Sequence, residues 1–288
     1  MGLLEHHVFY LHEPDLSAAL VFVQLHGDIL DVLLHQREYG VDDSVYKMVQ
    51  CDFAYNSNHM EGSRLTPEQT RMVFGRKTIS GENIALDDVL EAMNHFEAFD
   101  TILDRYNEPI DADMLFSLHR TLKAGTTQAK NPLYSVGEYK KYENVIGVLD
   151  LPTTPPDKVE TEINKLLIGY EKADTHDMDD LLAFHTAFEE IHPFSDGNGR
   201  VGRLLLFKEC LRNDIVPFII TDDLRGYYIR GLQNFHEEKG WLRDTCLTAQ
   251  VRFVEKYMPL AESYAKAMEA VQLERSVSLE QEAKDCMA

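Results

Sequence analysis

Basic residues are scarce in this chain. Its 288 residues include 28 Lys and Arg against 49 Asp and Glu, which gives a net charge of −21. Nucleic acids and anionic membranes are themselves negatively charged, so a surface of this kind repels both, and no run of basic residues offsets the effect. The sequence therefore predicts that neither a nucleic acid nor a membrane is the main partner.

Cysteines and long apolar runs are also rare. The longest uncharged apolar stretch, residues 16–27, is too short to cross a bilayer, and residues 1–15 lack the basic segment and apolar core of a secretion signal. No C-x-x-C spacing links the four cysteines, which we expect to be free thiols in a reducing compartment: Cys51, Cys210, Cys246 and Cys286. These absences indicate a cytoplasmic protein.

The remaining composition, 44% hydrophobic and 27% charged, is that of an ordinary globular protein. Apolar residues recur mostly at helical spacing, and residues 86–106 show it strongly. Capping residues mark the starts of further helices, at Asp15 or Ser17, at Asp42 or Ser44, and at Thr66, Asp111, Pro155 and Asp177. Residues 142–148 form the only convincing strand-like run. The sequence therefore predicts an all-α fold with one short β-hairpin.

Chemically active residues are concentrated in the segment Ile191–Arg203, which reads IHPFSDGNGRVGR. It follows a helical pattern and opens another helix, so its middle should be a tight loop with free backbone N–H groups at a helix N-terminus. Gly197, Asn198 and Gly199 allow the backbone to approach a ligand closely. This arrangement predicts an anion cradle.

Four side chains of this segment suggest a nucleotide phosphate as the anion. His192 is a candidate general base, and Asp196 is a candidate ligand for a hard metal ion. Arg200 and Arg203, three residues apart on one helix face, offer two guanidinium groups whose geometry suits phosphate oxygens. Because the chain is strongly acidic, a divalent cation would help it to bind a polyphosphate.

The same glycines also satisfy the dinucleotide-binding pattern G-x-G-x-x-G at Gly197, Gly199 and Gly202, with Asp222 and Asp223 about twenty residues further on. That fingerprint requires a strand immediately before the first glycine. Residues 181–191 instead place apolar residues at helical spacing. We therefore reject a Rossmann-type site.

The 191–203 segment resembles the signature of the Fic (filamentation induced by cAMP) family, H-P-F-x-[DE]-G-N-[GK]-R-x-x-R, at every fixed position. The resemblance implies a Fic-type helical bundle with N- and C-terminal helical extensions. It also implies transfer of AMP from ATP to a Ser, Thr or Tyr hydroxyl of a protein, with release of pyrophosphate. The resemblance implies that His192 is the base and Asp196 the Mg²⁺ ligand. It further implies that Gly197, Asn198 and Gly199 cradle the phosphates and that Arg200 and Arg203 hold them. Pro193 and Phe194 are implied to be structural residues.

A second stretch, Ser57–Gly62, resembles the inhibitory motif [ST]-x-x-x-E-[GN] of many Fic proteins. Ser57 and Glu61 are four residues apart and share one helix face. Alone, such a pair usually marks a solvated helix face. The resemblance implies instead that Glu61 pairs with Arg203 and inhibits transfer, or that it orients a water molecule for removal of AMP.

Weaker resemblances concern the flap and the nucleotide base. Gly137 and Tyr139 match a G-x-Y-R segment that precedes a flap at about residues 137–150, and Lys140 replaces the usual arginine. Either Tyr227 or Tyr228 matches a tyrosine that lies near the base. We expect an N-terminal helical region over residues 1–105, a catalytic core over 106–236, and two helices over 237–288.

Glycine at position 199 favours nucleotidyl transfer, because the phosphorylating Doc toxins carry lysine there. The expected partners are ATP, with Mg²⁺ as cofactor, and a protein bearing an exposed hydroxyl, including a second copy of this chain. The alternative is a Fic-fold protein that is catalytically silent or specific for another nucleotidyl or phosphoryl transfer, and acts as a binding module. Self-association is left open.

Overall fold

The computed structural model describes residues 26–76, 78–82, 84–146 and 151–287. Helices dominate this part of the chain, and the expected all-α class is confirmed. The α-helices are α1 (His26–Glu38), α2 (Val45–Met60), α3 (Pro67–Arg76), α4 (Leu86–Asp104), α5 (Ala112–Lys123), α6 (Pro156–Tyr170), α7 (Met178–Ile191), α8 (Asn198–Arg212), α9 (Arg225–Gln233) and α10 (Lys239–Met287). Short 3₁₀ turns cover Gln128–Lys130, Pro132–Tyr134 and Asp222–Leu224.

The predicted hairpin is present, although its strands are short. Strands β1 (Val145–Ile146) and β2 (Leu151–Pro152) pair antiparallel, with Val145 opposite Pro152 and Ile146 opposite Leu151. The sequence predicted a strand from residue 142. In the structure β1 begins after Asn144, whose carbonyl accepts a hydrogen bond from the Thr153 hydroxyl and whose side-chain amide donates to the Phe194 carbonyl.

Local capping sets most helix starts where the sequence placed them. The Ser44 hydroxyl accepts a hydrogen bond from the Lys47 N–H at 3.2 Å, and the Asp111 carboxylate accepts one from the Met114 N–H at 2.7 Å. Asp177 forms a capping box with Asp180 at the start of α7. The predicted start of the first helix, at Asp15 or Ser17, lies outside the described residues.

The C-terminal region differs from the expectation of two helices. A single helix, α10, contains Pro259 in its interior. Proline removes one backbone hydrogen bond and normally kinks or ends a helix. Here the neighbouring Met258 and Ala261 are both buried in the core, so packing continues on either side of the proline and the helix persists.

Helix α8 is the centre of the molecule. All of its residues from Asn198 to Leu211 are buried, and it packs against α2, α4, α5 and α7. One hydrophobic cluster extends from Ile29 in α1 to Ala261 in α10, so the three predicted regions share a core. None of the described helices combines the length and the apolar composition needed to span a bilayer. The N-terminus of α8 thus meets the C-termini of α2 and α7.

Candidate active site

His192 lies at the point where the chain leaves α7. Its backbone has φ 53° and ψ 61°, in the left-handed region, and its N–H donates to the Phe188 carbonyl at 3.0 Å. Few residues other than glycine adopt this conformation, which costs roughly 1–2 kcal/mol. Pro193 follows and cannot continue the helix. The side chain is therefore presented at the end of a rigid, capped helix.

The imidazole of His192 is prepared to accept a proton. Its Nδ1–H donates to the Glu189 backbone carbonyl at 3.2 Å, so Nε2 is the nitrogen with a free lone pair. Burial lowers the pKa of His192 to about 4, and the hydrogen bond to Glu189 only partly opposes this. The ring is consequently neutral near pH 7, as a general base must be.

The loop between His192 and α8 is locked from inside. The Asn198 amide accepts from the Phe194 N–H and donates to the Phe194 carbonyl, both at 2.8 Å. Phe194 is fully buried and stacks on His119, with ring centroids 4.0 Å apart. The left-handed residue is Gly197, with φ 81°, and not Asn198. The Asn198 side chain is thus occupied within the loop, which leaves backbone N–H groups as its contribution to an anion cradle.

Asp196 and Arg200 belong to a buried network that the sequence did not reveal. The Lys123 ammonium bridges Asp196 and Glu91, the latter at 2.8 Å, and its side chain is 1% exposed. Arg200 contacts Glu91 at 2.8 Å and Asp196 at 3.3 Å. Burial alone would raise the pKa of Asp196, but the charges of Lys123 and Arg200 outweigh it and hold that pKa far below its usual value.

This network bears on the expected Mg²⁺. Among the described residues no three His, Cys, Asp or Glu side chains are grouped to hold a metal. Asp196 nevertheless fits an ion that phosphate oxygens and water mainly coordinate, because Mg²⁺ commonly uses only one or two protein carboxylates. The Asp196 carboxylate is ionised and its side chain is 34% exposed, so it remains reachable from solvent.

Arg203 meets both residues of the second motif. Its Nη2 donates to the Glu61 carboxylate at 2.7 Å and to the Ser57 carbonyl at 2.9 Å, and its Nε donates to the Ser57 hydroxyl at 3.1 Å. Burial opposes ionisation of Glu61, but the charges of Arg203 and Arg200 lower the pKa of its carboxyl. The predicted contact between residues that lie far apart in the chain is present.

Two glycines of the 191–203 segment permit close approach to carboxylates. A Cβ at Gly199 would lie 2.3 Å from a Glu61 carboxylate oxygen and 2.7 Å from Nη1 of Arg203. A Cβ at Gly202 would lie 2.5 Å from a Glu189 carboxylate oxygen. A side chain at position 199 is therefore incompatible with the Glu61–Arg203 contact as it stands.

A cavity of about 90 Å³ opens above these groups. His192, Gly199, Arg203 and Glu61 line one part of it, and the remaining lining residues are Met60, Glu189, Arg225, Tyr228, Ile229 and Leu232. The cavity thus combines a base and a guanidinium with an apolar wall from α9. Asp196 and Arg200 do not line it.

The structure distinguishes the two candidate tyrosines. Tyr228 is 3% exposed, lines the cavity and hydrogen-bonds His185 at 2.5 Å. Tyr227 is 55% exposed and lies beside Arg230. Tyr228 is consequently the tyrosine in position to contact a ligand of the cavity.

Glu189 is a further acidic group that sequence patterns did not single out. Its side chain is 8% exposed, and one carboxylate oxygen has no hydrogen-bond partner. Burial raises the pKa of Glu189 to about 7. The only sequence signal was its position one helical turn before His192, which does not show where the carboxyl points.

Comparison with known proteins agrees with this geometry. Residues 109–209 match the model of the Fic/DOC family. The protein adenylyltransferase Fic of Nematostella vectensis is 28% identical over 186 residues, which are 60% of this chain and 40% of that protein. Its counterpart from Drosophila virilis is 27% identical over 248 residues, 78% of this chain and 49% of that protein. The chain therefore spans less than half the length of these curated relatives.

Solved structures share the fold. A Fic domain containing signaling protein from Bacteroides thetaiotaomicron superimposes with a TM-score of 0.68 at 20% identity, over 84% of this chain and 97% of that one. Fic-1 of Caenorhabditis elegans gives 0.61 at 18% identity, over 85% and 73% of the two chains. Residues 109–209 thus match the Fic/DOC family, and the chain shares the fold of these Fic structures.

Proposed function

We propose that this protein transfers AMP from ATP to a Ser, Thr or Tyr hydroxyl of a protein and releases pyrophosphate. The observation that carries the proposal is a neutral His192 in one cavity with Gly199 and Arg203 at the N-terminus of α8. The names of the relatives, protein adenylyltransferases, support the same reaction.

In this reaction the target hydroxyl oxygen attacks the α-phosphorus, and the bond from that phosphorus to the bridging oxygen of pyrophosphate breaks. Nε2 of His192 takes the hydroxyl proton. The N-terminus of α8 and the guanidinium of Arg203 stabilise negative charge on the phosphates. Catalysis of this kind depends mainly on positioning and charge neutralisation.

Asp196 is the residue that would hold Mg²⁺ in this site, and the bound ion would neutralise charge on the phosphates. Lys123 and Arg200 keep the Asp196 carboxylate ionised and fixed. Glu91 in turn forms ion pairs with both Lys123 and Arg200, so a buried network of charged side chains fixes the position of the Asp196 carboxylate.

Glu61 is proposed to inhibit the transfer. While its carboxylate occupies Nη2 of Arg203, a γ-phosphate must compete for the same guanidinium. ATP then binds with its α-phosphate misaligned for attack. Glu61 also lies in the cavity with His192, which supports a second activity in which the carboxylate orients a water molecule to remove AMP.

The experiment measures label incorporation from ATP into the Glu61→Gly protein and into proteins of a lysate. Label at the α-phosphate should be incorporated and label at the γ-phosphate should not, because phosphorylation would give the reverse pattern. His192→Ala should abolish incorporation while ATP binding, followed by calorimetry, persists. His236→Ala is the matched control, because His236 is 75% exposed and pairs only with Glu190 at the surface.

ATP binding without incorporation in any variant would favour the binding-module alternative. Removal of AMP is tested separately, by incubating a pre-labelled protein with wild type and Glu61→Gly. Release by wild type alone would support the role of Glu61 in that reaction. The cytoplasmic location and self-association stay predictions.

A further inference from the structure

Lys140 is buried, and none of the carboxylates in the described part of the chain forms an ion pair with its ammonium group. Its residue is 2% exposed, and Nζ donates to the Asn144 amide oxygen at 2.8 Å and to the Thr153 hydroxyl at 2.6 Å. Both partners are neutral. Burial lowers the pKa of Lys140 to about 8, and the charge of Glu143 opposes this only weakly. Burying a lysine ammonium group in this way costs desolvation free energy, so its burial calls for a structural reason.

The two partners of Lys140 flank the hairpin. Asn144 immediately precedes β1, and Thr153 immediately follows β2. The Thr153 hydroxyl also donates to the Asn144 carbonyl at 2.9 Å. The ammonium group therefore joins the two ends of the hairpin at its base.

The same residues attach the hairpin to the 191–203 segment. The Lys140 N–H donates to the Pro193 carbonyl at 2.8 Å, and the Asn144 amide donates to the Phe194 carbonyl at 2.9 Å. Pro193 directly follows His192. Lys140 and Asn144 thus tie the start of the hairpin to the backbone next to the candidate base.

We propose that Lys140 is a positioning residue that fixes the base of the hairpin to Pro193 and Phe194, and so sets the distance between a protein segment bound at the hairpin and Nε2 of His192. The proposal rests on the proposed function for its substrate, a protein segment in extended conformation that adds to a strand edge. The side-chain contacts of Lys140 are with the two ends of the hairpin, so we expect its effect to fall on the protein substrate.

The test replaces Lys140 by Met, which keeps the length of the side chain and removes its charge and donors. The adjacent Lys141→Met is the matched control, because Lys141 is 59% exposed and forms a surface ion pair with Glu138. Both variants are made in the Glu61→Gly protein, and automodification with α-labelled ATP is measured against ATP concentration. We expect kcat to fall at least about tenfold in Lys140→Met, because small misplacements of reacting groups are costly, with KM for ATP unchanged. Lys141→Met should match its parent.

Thr153→Val provides a second route if Lys140→Met folds poorly. It removes one partner of the ammonium with little change in volume, so kcat should fall less. The double variant Lys140→Met/Thr153→Val should lose less than the product of the two single losses, because the two substitutions break a bond that they share. Hydrogen exchange of residues 140–146 should be faster in Lys140→Met than in Lys141→Met.

Three results would overturn the proposal: equal kcat in Lys140→Met and Lys141→Met, a loss that appears in KM for ATP, or strictly multiplicative effects in the double variant. Absence of labelling in the Glu61→Gly parent would refute the proposed function instead. In that case hydrogen exchange still decides whether Lys140 anchors the hairpin, with equal exchange in the two variants counting against it.

Discussion

The contact between Glu61 and Arg203 allows a quantitative prediction about regulation. Replacing Glu61 by Gly removes a carboxylate that accepts a hydrogen bond from Nη2 of Arg203 at 2.7 Å. Arg203 keeps its bonds to the carbonyl and hydroxyl of Ser57, so the guanidinium stays in place. The substitution therefore frees one edge of Arg203 for a phosphate without removing its support.

The expected size follows from the contact itself. Hydrogen bonds to charged groups contribute about 1.5–3 kcal/mol, and about 1.4 kcal/mol corresponds to a factor of ten. The Glu61 side chain is 27% exposed, so solvent screening moves the value towards the lower end. Incorporation of AMP by Glu61→Gly should therefore exceed that of wild type by roughly 10- to 100-fold.

Ser57→Ala tests the same contact more gently. It removes the hydroxyl that accepts from Nε of Arg203 at 3.1 Å but leaves the Ser57 carbonyl. A bond of this length from a charged guanidinium lies at the low end of about 1.5–3 kcal/mol, which corresponds to a gain of about tenfold at most.

The assay follows incorporation of α-labelled ATP at equal protein concentration, with Glu68→Gln as control because Glu68 is an exposed residue of α3. Equal incorporation by wild type and Glu61→Gly would refute inhibition by this carboxylate. A gain in Glu68→Gln of the same size would show that the effect comes from surface charge.

Three further predictions follow from buried titratable groups. Burial lowers the pKa of His192 from 6.5 to about 4, so the imidazole should still be neutral at pH 6.5. As the pH is lowered, the rate of AMP transfer should therefore not fall with a midpoint near 6.5, and such a fall would contradict a neutral imidazole. Burial raises the pKa of Glu189 from 4.5 to about 7, so the native state keeps a proton that the unfolded chain loses, and stability should fall as pH rises through this window. Urea denaturation should therefore show that, across this pH range, the free energy of unfolding of wild type falls by up to about 3 kcal/mol relative to that of Glu189→Gln. Parallel pH curves for the two proteins would exclude the pKa shift of Glu189. Lys123→Met removes one of the two cations that Glu91 and Asp196 share, the other being Arg200, and should lower the free energy of unfolding by about 3 kcal/mol. A loss below roughly 1 kcal/mol, as for an exposed pair, would argue against a structural role.

Local features could be predicted from the sequence because local interactions create them. The caps at Ser44, Asp111 and Asp177 satisfy N–H groups within three residues, so their effect depends on neighbours in the chain. The order of base, acid and glycines in the 191–203 segment was likewise visible. The four-residue spacing of Ser57 and Glu61 placed them on one helix face, as the structure shows.

Proline at position 259 shows where local rules fail. Proline normally kinks or ends a helix and two helices were expected over residues 237–288, whereas burial of Met258 and Ala261 keeps α10 continuous. The gain from packing several apolar side chains exceeds the loss of one backbone hydrogen bond.

Apart from Glu61–Arg203, which the family resemblance implied, the contacts between buried charged groups were decided by the tertiary structure. Lys123 meets Asp196 across 73 residues of sequence, and Glu91 meets Arg200 from a different helix. Whether Tyr227 or Tyr228 faces the cavity depends on the rotation of α9 against α7, which its sequence does not specify. The spacing of polar residues predicts that a helix has a polar face. Which residues contact that face depends on how the helices pack around α8. The sequence alone thus determined which chemical groups are present and on which helices, and packing determined which of them meet.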